Sequence, residues 1–201
     1  SLLTCANRAK AYGRHAENSE LPDDSLDAMF RAIEPLTPVN NEITRCIISE
    51  EEVADDASPG LRQVRRQMKV IADRVHTQLN SILNSSRSML QDAVITMRDG
   101  RYCLPVKAEY RSQFNGMIHD QSNTGSTLFM EPLSVIQLNN KIKELQAQEK
   151  EEIEKILLML SDLVTANAIS IEGNLELLTQ LDFIFAKAAL SMSMDGTQPL
   201  F

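Results

Sequence analysis

Two long stretches of the chain carry apolar residues at steps of three and four. The first begins at Ser58-Pro59, a serine able to cap a helix and a proline suited to the first helical position. Its apolar residues are Leu61, Val64, Met68, Ile71, Val75, Leu79, Ile82 and Met89. This spacing places them on one face of a helix. The pattern predicts a rod of about 45 Å, from about thirty residues at 1.5 Å each.

The second stretch begins near Pro132. Its apolar residues are Val135, Leu138, Ile142 and Leu145, followed after a frame shift at Glu149 by Ile153, Leu157, Leu160 and Val164. We interpret the shift as a stutter, which local unwinding of a coiled coil accommodates. Two striped rods around one short insert predict an antiparallel pair, because each apolar stripe needs the other to cover it.

The insert between the rods has a strand-like pattern. The apolar runs 93–98 and 101–107 flank Asp99-Gly100, a dipeptide typical of the type I′ turn of a β-hairpin. Pro105 predicts an edge position or a bulge within the second run. Residues 116–121 and 127–130 predict two further short strands around the turn of residues 123–126.

The remaining segments predict a helical core. We expect helices over residues 1–19, 25–34 and 39–48, a polar turn or small hairpin after them, and a last helix near 166–194 in which Gly173 is a candidate bend or break. The fold class is mainly α, with a coiled-coil-like antiparallel helix pair that carries a small β-rich insert. The predicted parts are 1–57 helical core, 58–91 ascending helix, 92–131 β insert, 132–165 descending helix, 166–195 core helix and 196–201 linker.

Composition agrees with a helical protein and sets some limits. Trp is absent and the net charge is −8, which argues against a uniformly basic nucleic-acid-binding surface. A local basic face remains open, because residues 61–90 hold Arg62, Arg65, Arg66, Lys69, Arg74 and Arg87 against Asp73. The cysteines Cys5, Cys46 and Cys103 lack metal-site spacing, and we expect reduced thiols of the cytoplasm. No apolar run reaches the length of a membrane span, so no membrane partner is expected.

Catalytic and metal chemistry find little support in the sequence. His119-Asp120 lies among hydroxyl residues, but side chains alternate along a strand, so we expect no aligned triad. No G-x-x-x-x-G-K-S/T loop is present to bind nucleotide. We therefore expect no catalytic residue, no metal and no cofactor in this chain. An enzyme with His119 and Asp120 as acid–base groups remains a minor alternative.

Basic and aromatic residues interleave near the hairpin, with Tyr102 and Tyr110 among the bases. In nucleic-acid-binding proteins, basic groups contact phosphates and aromatic rings stack on bases. An ordinary solvated hairpin is the alternative and stays open. The candidate nucleic-acid contacts are Arg98, Arg101, Lys107, Arg111 and His119.

Several segments are specific enough to indicate a family. They are LQDAVITMRDGRYCLPVKAEYR (90–111), GMIHDQS (116–122), GSTLFMEP (125–132), ASPGLRQVRRQ (57–67), LNN (138–140) and LDFIFAK (181–187). Together they resemble the bacterial MutS-two family, the MutS paralogue that usually ends in a Smr domain. The resemblance covers about residues 20–195 and implies the core, lever and clamp segment of the family, with the insert as the clamp. Both ends of the chain look cut, and the resemblance places the family's ATPase, with its ATP and Mg, and its nuclease outside it.

The resemblance also implies partners. The family is described as binding branched DNA and suppressing recombination, and as recognising collided ribosomes and splitting them with ATP. In both descriptions a homodimer holds a large substrate. We expect this chain to be a non-catalytic lever and clamp that contacts DNA or ribosomal RNA. The alternative is a purely structural or dimerising helical module.

Overall fold

The computed structural model describes residues 2–16 and 25–197. The chain divides into two units, one made of residues 1–54 and 157–201 and the other of residues 55–156. The predicted linker 196–201 and the predicted helix end at 17–19 lie largely outside the described residues. The sequence-based fold class is confirmed: helices dominate, and a small antiparallel sheet is inserted between two of them.

Residues 55–156 contain the predicted helix pair. Helix α4 spans Pro59–Ser85, and helix α5 spans Ile136–Ala166, of which residues 136–156 belong to this unit. The Ser58 hydroxyl accepts a hydrogen bond from the Leu61 amide (3.0 Å) and caps α4 as the sequence predicts. Ser58 also lies 3.3 Å from Glu152, and Arg65 donates to Glu149 at 2.7 Å. Partners on α5 thus come earlier in the chain as α4 advances, which confirms an antiparallel pair.

The predicted stutter in α5 is wrong. Leu145 and Ile156 are both buried, and they are eleven residues apart, which is the sum of steps of four, three and four. Those steps pass through Glu149 and Glu152, the residues that contact α4. The contact stripe therefore continues without a frame shift, and carboxylates occupy two of its positions. Leu157, which the sequence assigned to the stripe, is 44% exposed.

Short turns shorten both predicted rods at the insert. Beyond Ser85 the chain forms a 3₁₀ turn, Arg87–Met89, and a second 3₁₀ turn, Leu133–Val135, precedes α5. Residues 84–86 are Asn-Ser-Ser, whose side chains compete for backbone hydrogen bonds and weaken a helix. The helix accordingly ends several residues before the apolar stripe does.

The insert is a four-stranded antiparallel sheet in the order β3-β4-β6-β5. Its strands are β3 (Thr96–Arg98), β4 (Arg101–Lys107), β5 (Gly116–Gln121) and β6 (Thr127–Pro132). Asp99 and Gly100 have φ of 49° and 68°, as a type I′ turn requires. Pro105 lies in an inner strand rather than at an edge: β6 pairs with it on one side, and beyond the end of β3 its carbonyl accepts a hydrogen bond from the Gln91 amide (2.9 Å) on the other.

One face of the sheet packs against the helix pair to form the core of this unit. Residues two apart on β4 lie opposite residues two apart on β6, so their side chains lie on the same face of the sheet. Their burial against α4 and α5 removes apolar area from water, the main stabilising term of such a core. The core residues are Val75, Leu79, Leu83, Leu90, Leu104, Val106, Phe114, Leu128, Met130, Val135 and Ile142.

The other unit is helical with one small hairpin. Its elements besides the end of α5 are α1 (Leu2–Ala16), α2 (Ser25–Ala32), α3 (Thr37–Cys46), β1 (Ile47–Ser49), β2 (Glu52–Val53) and α6 (Ala168–Ser193). Strands β1 and β2 pair, which confirms the small hairpin. Leu181 of α6 packs with Ala6, Phe30 and Ile33, as expected for a core helix.

Helix α6 is not interrupted at its glycine. The break between α5 and α6 falls at Asn167, and α6 runs through Gly173 without interruption. The Asn174 amide donates to the Glu34 carbonyl (2.8 Å) and accepts from the Glu34 amide (2.9 Å). These two bonds satisfy a buried asparagine and join α6 to the segment that follows α2.

Two glycines of this unit predict opposite effects of one substitution. A Cβ on Gly13 would lie 2.5 Å from Phe30 Cβ, whereas a Cβ on Gly173 would have no heavy atom within 4 Å. Gly173→Ala should stabilise the chain by up to about 1 kcal/mol through helix propensity. Gly13→Ala should lose about 1–3 kcal/mol to overpacking. Urea unfolding followed by circular dichroism measures both, and equal stabilisation by the two variants would contradict the close packing of α1 on α2.

Candidate nucleic-acid interface

A buried carboxylate lies among the predicted contact residues. Glu131 of β6 has no exposed area. Arg101 Nη1 donates to its Oε1 at 2.7 Å, and His119 Nε2 lies 2.6 Å from its Oε2. The Asn139 side-chain amide of α5 donates to Oε1 at 2.7 Å. Two of the five candidate residues, Arg101 and His119, thus contact the buried Glu131 carboxylate.

The protonation of Glu131 follows from these partners. Burial raises the pKa of Glu131, but hydrogen bonds from Asn139, His119 and Arg101, together with the Arg101 charge, outweigh burial. The net result is a pKa below the ordinary value of 4.5. The group is therefore a carboxylate at neutral pH.

A β-bulge brings His119 to Glu131. Ile118 pairs with Met130 and Asp120 with Phe129, so two steps on β5 match one step on β6. His119 is the extra residue. The expected alternation of His119 and Asp120 is therefore wrong. His119 contacts Glu131, while Asp120 pairs with Arg98 at 3.0 Å, and Arg98 itself lies over the Phe129 ring.

Two asparagines at the start of α5 form hydrogen bonds with the sheet. Asn139 accepts from the Tyr102 amide (3.2 Å) and donates to the Tyr102 carbonyl (3.1 Å), as a neighbouring strand would. Asn140 accepts from Arg101 Nη2 at 2.6 Å. Sequence reasoning assigned no role to Glu131 or Asn139. Both lie within segments that carry the family resemblance, and that was the available signal.

Arg98, Lys107 and Arg111 are the more accessible candidates. The Arg98 guanidinium lies 3.8 Å from the Phe129 ring centroid, and its side chain is 35% exposed. Lys107 donates to the Ser88 carbonyl at 3.1 Å. Arg111 is exposed, and its side chain has no ion pair or hydrogen bond among the described residues.

The candidates form two groups that differ in their partners. Arg98, Arg101 and His119 surround Glu131 and Asp120. Lys107 and Arg111 have no carboxylate partner among the described residues. Carboxylates neutralise the first group, so Lys107 and Arg111 are the better placed to meet a polyanion.

The Cys103 thiol is fully buried. Burial, with the Glu131 charge, raises the pKa of the Cys103 thiol to about 11. No cluster of His, Cys, Asp or Glu within residues 2–16 and 25–197 could hold a metal ion. No single described helix is long and apolar enough to cross a membrane, although Leu133–Ala166 and Ala168–Ser193 pass the length and composition test as one bent pair.

Comparison with known proteins adds close relatives. No protein-family model matches the chain. The protein called Endonuclease MutS2 from Lachnoclostridium phytofermentans is 55% identical over 207 residues, which cover 100% of this chain and 26% of that protein. Its namesake from Agathobacter rectalis is 56% identical over 203 residues, with the same coverage. That from Caldanaerobacter subterraneus is 46% identical and covers 87% of this chain and 22% of its own length. The chain thus spans about a quarter of these relatives' length.

Replacing the buried carboxylate should destabilise the sheet. Glu131→Gln leaves Arg101 without its counter-charge, and we expect the free energy of unfolding to fall by about 3 kcal/mol. The matched control is Glu144→Gln, which removes an exposed pair with Lys141 and should cost less than about 1 kcal/mol. Equal effects in urea unfolding would show that the Glu131 pairs are not structural.

The same variant has a defined pH dependence. Folding lowers the pKa of Glu131, so its ionised form stabilises the chain above pH 4.5 and this contribution is lost as pH falls through the folded pKa. The difference in unfolding free energy between the wild type and Glu131→Gln should be largest near neutrality and shrink below pH 4.5. A difference that grows in acid would contradict the assignment.

The thiols should differ sharply in reactivity. Cys5 is exposed, whereas Cys46 and Cys103 are buried. A thiolate is the reactive form, so at pH 8 a disulfide reagent should label Cys5 in the folded chain and reach the other two thiols only in urea. Rapid native labelling in a Cys5→Ser variant would contradict the burial of Cys46 and Cys103.

Proposed function

Because the chain belongs to the MutS2 family, we propose that it is a non-catalytic lever and clamp through which a MutS2 protein grips nucleic acid. In this proposal α4 and the facing part of α5 form the lever, and the four-stranded sheet forms the clamp. The relatives carry the name endonuclease, which says that they cleave nucleic acid. The proposal extends a nucleic-acid partner to this chain.

The observation that supports the proposal most is the bonding of the sheet to the helix pair. The Asn139 side chain of α5 forms hydrogen bonds with both the Tyr102 main chain and the Glu131 carboxylate. Packed and hydrogen-bonded elements move as one body. A displacement of the helix pair would therefore carry the sheet with it, as a lever that moves a clamp requires.

The catalytic parts of the proposed protein lie elsewhere. The sequence offers no phosphate-binding loop, so we assign ATP and Mg²⁺ to the portion of the relatives that this chain does not span. That portion would supply ATP hydrolysis and nuclease activity. The cytoplasm is the proposed location, and the homodimer of the family is the proposed assembly.

DNA and ribosomal RNA are both proposed partners, and they share a phosphate backbone. Lys107 and Arg111 would contact phosphates, because carboxylates pair with Arg98, Arg101 and His119 but not with these two residues. Such contacts add affinity that decreases with salt. Arg98 would contribute at the edge of the clamp, where its guanidinium stacks on Phe129.

A specific observation favours the dimerising alternative. Helix α6 exposes large apolar side chains, with Ile169 at 88%, Phe183 at 62% and Met192 at 75%. Exposed apolar surface of this kind often marks a protein interface. Sedimentation analysis of the chain that shows a stable dimer without nucleic-acid affinity would support this alternative.

The clamp proposal predicts a defined loss of binding. Lys107→Gln with Arg111→Gln should weaken binding to four-way DNA junctions and to ribosomal RNA and reduce the slope of log affinity against log salt by about two, one per lost contact. Fluorescence anisotropy of the chain at several salt concentrations measures this. The control, Lys143→Gln with Lys150→Gln, removes the same charge from α5. Identical slopes for the two variants, or no binding by the wild type, would defeat the proposal.

A further inference from the structure

A groove beside the helix pair concentrates positive charge on an acidic protein. It has a volume of about 840 Å³ and lies between α4 and α5 within residues 55–156. Arg62 and Arg66 line it from α4, and Lys141 lines it from α5. Gln63 and Gln67 add amide groups, and no described residue that lines it is acidic. The whole chain, by contrast, has a net charge of −8.

The cations of this groove are largely available. Arg66 is exposed and has no ion pair among the described residues. Arg62 lies 3.6 Å from Asp56, and both side chains are more than 60% exposed. Lys141 pairs with Glu144 on the helix surface at 2.8 Å. Exposed pairs of this kind are worth less than about 1 kcal/mol and are screened by salt, so a phosphate could displace them.

Acidic residues lie beside the groove and beyond one end of it. A hollow that shares Lys141 with the groove is also lined by Glu151 and Glu152, and the hollow beyond Val70 includes Asp73. The two arginines that line the groove from α4, Arg62 and Arg66, are four residues apart, or about 6 Å along the helix. At 3.4 Å of rise per nucleotide, this separation matches about two nucleotide steps of one strand.

We propose that this groove binds the phosphate backbone of a nucleic-acid duplex, at a site separate from the sheet. Arginine forks bind phosphate oxygens through paired hydrogen bonds, and glutamine amides add neutral donors. The groove has an apolar floor of Ile71 and Leu145 but no aromatic side chain. Single strands are usually held by stacking on aromatic rings, so the lining favours the backbone of a duplex. This inference rests on the proposed function and gives it a second contact surface.

Binding measurements with two double variants test the inference. Arg66→Gln with Lys141→Gln neutralises one cation on each side of the groove, and glutamine preserves helix propensity. Lys143→Gln with Lys150→Gln is the control, because it removes the same charge from α5 at positions that do not line the groove. The full chain is titrated with duplex DNA, duplex RNA and single-stranded DNA at several salt concentrations, after thermal unfolding shows that all variants are folded.

The groove variant should bind both duplexes at least about tenfold more weakly at 0.1 M salt, with a salt slope reduced by about two, while the control changes neither. If the wild type binds duplexes and both variants match it, the groove inference fails and the proposed function stands. If the groove variant loses only single-strand binding, the duplex assignment is wrong. If the wild type binds no nucleic acid at low salt, the proposed function itself fails.

Discussion

The structure of residues 55–156 depends on keeping one buried carboxylate paired. A Glu131 side chain without partners would cost several kcal/mol, so its hydrogen-bonding groups must be in place for the sheet to form. Those groups come from three elements: Arg101 from β4, His119 from β5 and Asn139 from α5. The folded sheet therefore needs the start of α5 to be in place, and we expect the helix pair and the insert to fold as one cooperative unit. The same bonds explain why two basic residues near the hairpin are poor candidates for an external partner.

Local patterns predicted much of this fold, and tertiary polar contacts account for what they missed. The Ser58-Pro59 start of α4 and the Asp99-Gly100 turn follow from rules that concern only a few neighbouring residues. The α5 stripe was misread at Glu149 and Glu152 because an apolar period cannot identify a carboxylate that faces an arginine or a helix N-terminus. The bulge was missed for a related reason, since the extra residue in β5 is defined only by its pairing with β6. The same limit applies to the candidate site. The sequence indicated which residue types lie near the hairpin, but it did not indicate which of them pair with carboxylates inside the protein.

Charge in this chain has two separable uses. Some cations, such as Arg101 and Arg65, are held by carboxylates inside the contacts between elements and stabilise the fold. Others, such as Arg66 and Arg111, are left exposed without such partners among the described residues. An acidic protein can therefore still present basic surfaces, because its net charge says nothing about how acids and bases are paired. The binding tests replace cations outside these ion pairs and leave Arg101 and Arg65 intact.

The bulge at His119 also restricts how this chain can vary in length. If His119 were deleted, the pairing of β5 with β6 would become regular with Asp120 still opposite Phe129, and Glu131 would lose the imidazole. A deletion in the turn of residues 122–126 would leave the pairing of β5 with β6 unchanged. We expect natural relatives to tolerate insertions and deletions at that turn and to conserve the number of residues in β5, even where the residues themselves differ.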